Sequence, residues 1–157
     1  MIRDFLRRLF LKHFRNTRIY KYCNIYKSAK IGRNCIIGSY SEIGKNVIIG
    51  NDCKIGAYVF IPEGVDIGND VFIGPKCCFT NDKYPKATGE WKVYETIVRD
   101  GTSIGANSTI VCGVEIGERA RIGAGSVVTK NIEKGAVVCG IPAKKIHSDY
   151  GNSPESN

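Results

Sequence analysis

The stretch KIGRNCIIGSYSEIGKNVIIGNDCKIG (residues 30–56) puts an isoleucine at positions 31, 37, 43, 49 and 55, a strict six-residue beat. Residues six apart lie about 120° apart around an α-helix, so a six-residue beat spreads round every side and no helical stripe explains the spacing. A β-branched residue every six positions instead places one large side chain per short strand into a shared interior.

Outward from that stretch the beat runs unbroken from Ile25 to Ile73, then resumes with Val98, Ile104, Ile110, Ile116, Ile122 and Val128. The next residue is glycine in ten of the fifteen units. The third residue after the beat is Gly, Asn or Asp in ten, residue types that tolerate a positive φ and mark turns. The fourth is small or β-branched, as in Ala29, Cys35, Ser41, Cys53, Cys77 and Thr102 through Ile132. Units of this kind are the hexapeptide β-helix, three to a triangular coil of 18 residues. Residues 25–78 supply three coils and residues 98–133 two more, and such a stack needs caps on its open ends. Seven cysteines without a CxxC, several in the small slot, read as reduced core residues and imply neither disulfide nor metal.

Among known proteins the chain resembles the left-handed parallel β-helix acyltransferases of the hexapeptide class, over about residues 19–146. Two segments, GPKCCFTNDKYP (74–85) and SIGANSTIVCGVEIGERARIGAGSVVTKNI…GIPAKKI (103–146), look like those of the nucleotide-linked 3-amino-sugar N-acetyltransferases. The resemblance implies an all-β, left-handed solenoid, a homotrimer with active sites between subunits, acetyl-CoA as donor and a UDP- or dTDP-linked amino sugar as acceptor, for surface polysaccharide synthesis. It also implies that Asn81 and Asp82 lie by the sugar amine and that the Gly113 N–H meets the thioester carbonyl. Main-chain groups near Gly105, Ala106, Gly123 and Ala124 would meet the pantetheine arm, with Pro142, Lys144 and Lys145 at the adenosine end.

The beat breaks at residues 80–97, and an 18-residue excursion in a compact domain is usually functional. Its aromatic residues Tyr84, Trp91 and Tyr94, with Thr80, Asn81 and Asp82 at its start, are the candidate substrate contacts, Trp91 for stacking on a nucleotide base. Asn81-Asp82 also fits an ordinary Asx turn. The only histidines, His13 and His147, flank the repeat region. Many hexapeptide O-acetyltransferases use a histidine base. An amino sugar is already partly an uncharged nucleophile near neutral pH and needs positioning more than a strong base. The missing histidine therefore favours N-acetylation over O-acetylation of a sugar or serine hydroxyl, and opposes a zinc carbonic anhydrase, which needs three histidines. A catalytically silent hexapeptide scaffold is the reading from another class; it would need neither the excursion nor the GIPAKKI tail.

The net charge of +8 is confined to one terminus: residues 1–30 carry nine Lys or Arg and one acid, and the other 127 residues are neutral. That distribution argues against nucleic acid. Residues 1–18 read as a basic amphipathic helix, with Ile2, Phe5, Leu6, Leu9, Phe10, His13 and Phe14 on one stripe, either capping the solenoid or lying on an anionic membrane. Residues 147–157 read as a disordered tail. No apolar run approaches the roughly 20 residues of a membrane span, and the N-terminus lacks a signal-peptide core, so the expected location is the cytoplasm, at the inner face of the membrane if residues 1–15 bind it.

Overall fold

A computed structural model describes residues 16–146. Over that range the chain is all β, winding through two- and three-residue strands into a parallel solenoid of about seven turns with three flat faces. The first face stacks Arg18–Ile19, Ile36–Ile37, Lys54–Ile55, Phe72–Ile73, Ser103–Ile104, Arg121–Ile122 and Val137–Cys139, then Lys144–Lys145. The second stacks Asn24–Ile25, Glu42–Ile43, Phe60–Ile61, Cys78–Phe79, Thr109–Ile110 and Val127–Val128. The third stacks Lys30–Ile31, Ile48–Ile49, Val65–Ile67, Thr96–Val98 and Glu115–Ile116.

Every beat residue lies directly under its counterpart one coil on: Ile37 pairs with Ile55, Ile55 with Ile73, Ile73 with Ile104 and Ile104 with Ile122. From Ile37 onward these side chains are buried, and each fully buried one contributes roughly 1.5–3 kcal/mol.

The glycine after the beat is required by close approach. A Cβ on Gly74 would lie 2.5 Å from the Ala106 backbone nitrogen in the next coil, and Gly105 meets Ala124 in the same way. Positive φ belongs to the third residue after the beat, at Asn34, Asn46, Asp52, Asp70 and Asn107, and at Gly64, Gly101, Gly113 and Gly125. Less expected at such a φ are Tyr22, Tyr40 and Tyr58, whose rings stack along one corner with centroids 5.0 and 4.9 Å apart.

The small slot also has a chemical requirement. Its Ser, Thr and Cys side chains donate to a glycine carbonyl of the next coil, Thr17 to Gly32, Cys23 to Gly38, Cys35 to Gly50, Ser41 to Gly56, Cys53 to Gly68, Cys77 to Gly105, Thr102 to Gly117 and Ser108 to Gly123, except that Ser126 donates to Gly123 of its own turn. Cysteine here is a buried donor in a serine-like role. Burial holds the Cys77 thiol above its usual pKa, and Cys35 together with burial does the same for Cys53.

Four expectations need correction. The solenoid has about seven turns where five are expected, because it starts at Arg18–Ile19 and runs past Val138. Residues 16–18 thus belong to the solenoid rather than to an N-terminal helix; residues 1–15 and the tail 147–157 lie outside the described residues. Ile132, expected in the small slot, takes a beat position and pairs with Ile116, because the corner after Val128 is two residues short. The excursion ends at residue 95, since Thr96 already pairs with Val65 and is fully buried.

Candidate functional site

The excursion, residues 80–95, replaces one corner between the second and third faces. At the same corner one coil earlier, only Pro62, Glu63 and Gly64 link Ile61 to Val65. Thirteen residues are thereby added, one more than two repeat units, which is why the beat returns one residue out of phase. Phe79, fully buried, fills the beat position where the chain leaves.

Both ends of the excursion are tied to the turn above. Thr80 Oγ1 accepts the Cys112 N–H at 2.9 Å, and Thr96 Oγ1 accepts the Gly113 N–H at 3.2 Å. The Tyr94 N–H donates to the Asn81 carbonyl at 3.0 Å and closes the neck; the Thr96 N–H donates to Gly64 at 2.8 Å. Asp82 Oδ1 accepts the Tyr84 N–H at 2.9 Å, so Asp82 does form an Asx turn.

Above the neck, Tyr84 and Tyr94 meet edge to face with centroids 6.4 Å apart, and Lys92 Nζ lies 5.2 Å from the Tyr94 ring centroid. Tyr94 packs over Gly113. Trp91, 58% exposed, joins Asn81 in a shallow cleft of about 220 Å³ on the second face, against Tyr26, Glu42, Lys45, Phe60 and Glu63 of the first three coils. The excursion therefore folds back along the prism toward its first coils. It brings Asn81 and Trp91 together at one place and Tyr84 and Tyr94 at another.

The remaining candidates sit elsewhere. Gly105, Ala106, Gly123 and Ala124 lie on the corner between the first and second faces, stacked coil on coil. Gly123 and Ala124 also line a larger, mostly apolar groove of about 520 Å³ with Arg121, Val137, Cys139 and Ile146. Pro142 is exposed in the turn before Lys144–Lys145, which pairs antiparallel with Val137–Cys139. Lys145 is committed to Glu133 at 3.0 Å, leaving exposed Lys144 as the lysine of the pair outside any ion pair among the described residues. The two candidate sets thus occupy adjacent corners of one prism, with the second face between them. The Gly113 N–H, expected at a thioester carbonyl, is donated to Thr96. Among the described residues no cluster of three or more His, Cys, Asp or Glu is placed to hold a metal ion.

Sequence reasoning missed the threonine ties and the cleft floor. Thr96 stands two residues before the beat Val98, as Val65 stands before Ile67, so its place in the prism was readable. Glu42 and Phe60 precede beats at 18-residue spacing with Cys78, the outward position of the face on which the excursion opens.

The profile described as bacterial transferase hexapeptide (six repeats) matches residues 12–45, 46–81 and 95–130. A dTDP-3-amino-3,6-dideoxy-alpha-D-galactopyranose 3-N-acetyltransferase of Aneurinibacillus thermoaerophilus is 59% identical over 49 residues, 31% of this chain and 26% of that protein. The matched stretch spans about a quarter of that relative's length. A variant of AntD, an N-acyltransferase from Bacillus cereus solved with dTDP and coenzyme A, superposes with a TM-score of 0.74 at 25% identity, covering 84% of this chain and 80% of that one. The acetyltransferase domain of PglB from Neisseria gonorrhoeae superposes with a TM-score of 0.73 at 17% identity, over 92% of this chain and 64% of that one, a likeness of fold.

Proposed function

The chain belongs to the bacterial transferase hexapeptide family, and on that premise we propose that it moves an acetyl group from acetyl-CoA to the amine of a UDP- or dTDP-linked amino sugar. The observation that carries the proposal is the excursion: its ends are tied down by two threonine hydroxyls and its aromatic arm lies over a cleft containing Asn81, in a chain with no histidine between 13 and 147. A structural scaffold has no use for such a closed arm. The relatives named above support an amino-sugar acceptor and a coenzyme A donor.

The uncharged amine attacks the thioester carbonyl carbon, and the C–N bond forms as the carbonyl oxygen takes up negative charge. Collapse of this intermediate breaks the C–S bond and releases the CoA thiolate. The proton lost by nitrogen ends on that sulfur, carried by water or by the Asp82 carboxylate. Asn81 and Asp82 hold the amine and a neighbouring hydroxyl, so that positioning supplies most of the rate. Trp91 and Phe60 offer aromatic surface to a base. The turns at half-buried Ala106 and exposed Ala124 supply main-chain groups for the pantetheine arm, and Lys144 a cation for the phosphates.

Because the acceptor cleft and the coenzyme corner are adjacent corners of one prism, a neighbouring copy laying its coenzyme corner against this cleft completes the site; a homotrimer provides three such junctions. The product serves surface polysaccharide synthesis from the cytoplasm. Thiol release from acetyl-CoA, measured with matched 3-amino and 3-hydroxy nucleotide sugars of both the UDP and dTDP series, tests the reading. Release with an amino sugar alone is the expected result. Equal release with the hydroxyl compounds returns the O-acetyl reading.

A further inference from the structure

We propose that the first coil of the solenoid is a docking surface for an anionic lipid bilayer. From residue 5 to residue 41 the chain contains no Asp or Glu. The structure wraps part of that stretch into a single ring at one end of the stack. Arg18 and Lys30 take outward strand positions and Lys21, Lys27 and Arg33 the three corners; all five are exposed, and none joins an ion pair among the described residues.

The ring is peculiar to this coil. One coil on, the same five positions are Ile36, Ile48, Ser39, Lys45 and Asn51, and Glu42 is beside them. Exposed tyrosines stand in the same coil as the cations: Tyr20 at 45%, Tyr22 at 68% and Tyr26 at 38%. Tyrosine beside Lys and Arg is the composition that settles at a membrane–water interface, where the ring meets acyl chains and the hydroxyl meets headgroups.

Charge decides the partner. Each Lys or Arg near an anionic bilayer contributes about 1 kcal/mol, and five on one rim act together because all lie in the same end coil, at one level of the stack. Residues 1–15 continue the chemistry, with Arg3, Arg7, Arg8, Lys12 and Arg15 against Asp4 and with Phe5, Leu6, Leu9 and Phe10 between them. A nucleic acid would meet the same cations but would gain nothing from those apolar side chains.

The test is vesicle co-sedimentation of the full chain with phosphatidylcholine alone and with one-third phosphatidylglycerol, at about 0.1 M and about 0.5 M salt. The chain should bind only the anionic vesicles, and lose them at high salt. Combining Lys21→Gln, Lys27→Gln and Lys30→Gln should lower partitioning about fivefold per residue, roughly a hundredfold together. The corresponding triple change to Arg should restore binding. If the triple Gln variant fails to fold, Lys21→Gln alone gives the fivefold reading. Equal binding to both vesicle types overturns the proposal, as does undiminished binding by the Gln variants, which would assign the affinity to residues 1–15. Tighter retention by duplex DNA than by anionic vesicles at the same salt also overturns it.

Discussion

Thr80 and Thr96, sixteen residues apart in sequence, accept the N–H groups of two consecutive residues, Cys112 and Gly113. The excursion therefore leaves and re-enters the prism at one turn of the next coil, and its position depends on two hydroxyls. Replacing either threonine by Val keeps its shape and leaves an N–H without a partner, which costs about 1–3 kcal/mol. Thr80→Val and Thr96→Val should each lower the melting temperature, speed amide exchange across residues 81–95 and raise the acceptor KM more than the acetyl-CoA KM. Serine at either position should rescue all three. Unchanged exchange in both Val variants would show that the ties do not hold the arm.

The cysteines make a contrast within two adjacent residues. Cys77 is buried and donates its thiol proton to the Gly105 carbonyl, while Cys78 faces outward. Thiol labelling of native protein should mark Cys78 well before Cys77, with Cys35 and Cys53 as slow as Cys77. Cys53→Ser, which keeps the donor to Gly68, should be tolerated better than Cys53→Ala by about 1 kcal/mol in chemical denaturation. Rapid labelling of Cys77 would contradict the buried-donor account.

Asp100 gives the fold a pH dependence whose sign is fixed. Its carboxylate accepts the Asn69 N–H at 2.8 Å and the Asn69 amide at 3.2 Å, and these bonds hold its pKa below the usual carboxylate value. A carboxyl lowered by folding contributes its stability above the unfolded pKa of about 3.9, and that contribution fades as pH falls through the folded value. Urea melts between pH 7 and pH 3 should show wild type losing stability faster than Asp100→Asn, which keeps an oxygen acceptor but does not titrate. Parallel curves would remove Asp100 from the acid response.

Asp82 holds an Asx turn and, in the proposed reaction, places its carboxylate beside the amine. Asp82→Asn preserves the turn and removes the charge, whereas Asp82→Ala removes both. Each should lower kcat/KM at least tenfold, about 1.4 kcal/mol of transition-state stabilisation, as should Asn81→Ala. Full activity in Asp82→Asn alongside loss in Asp82→Ala would reduce Asp82 to a turn former.

The solenoid was legible because one residue type recurs under one physical constraint: Ile37, Ile55 and Ile73 must each fill the same interior position, so period alone reveals them. Its ends were less legible. Val138 lies sixteen residues beyond Ile122 because the corner after Val128 is shortened, and a fixed period cannot follow a deletion. The cleft was half legible. Asn81 and Trp91 stood out because they interrupt the pattern; Glu42 and Phe60 stay inside it, and only the folding back of the arm selects them from other outward residues. The Thr96 tie to Gly113 was hidden because backbone N–H groups leave no mark in a sequence.

The dependence of kcat/KM on pH, measured with an amino-sugar acceptor for wild type, His13→Asn and His147→Asn, tests the central claim most directly. The account predicts three superimposable profiles, each rising as the substrate amine loses its proton, with no limb near the ordinary histidine pKa of about 6.5. Loss of activity in either histidine variant, or loss of such a limb with it, would contradict an amine-acetylating site that works without imidazole.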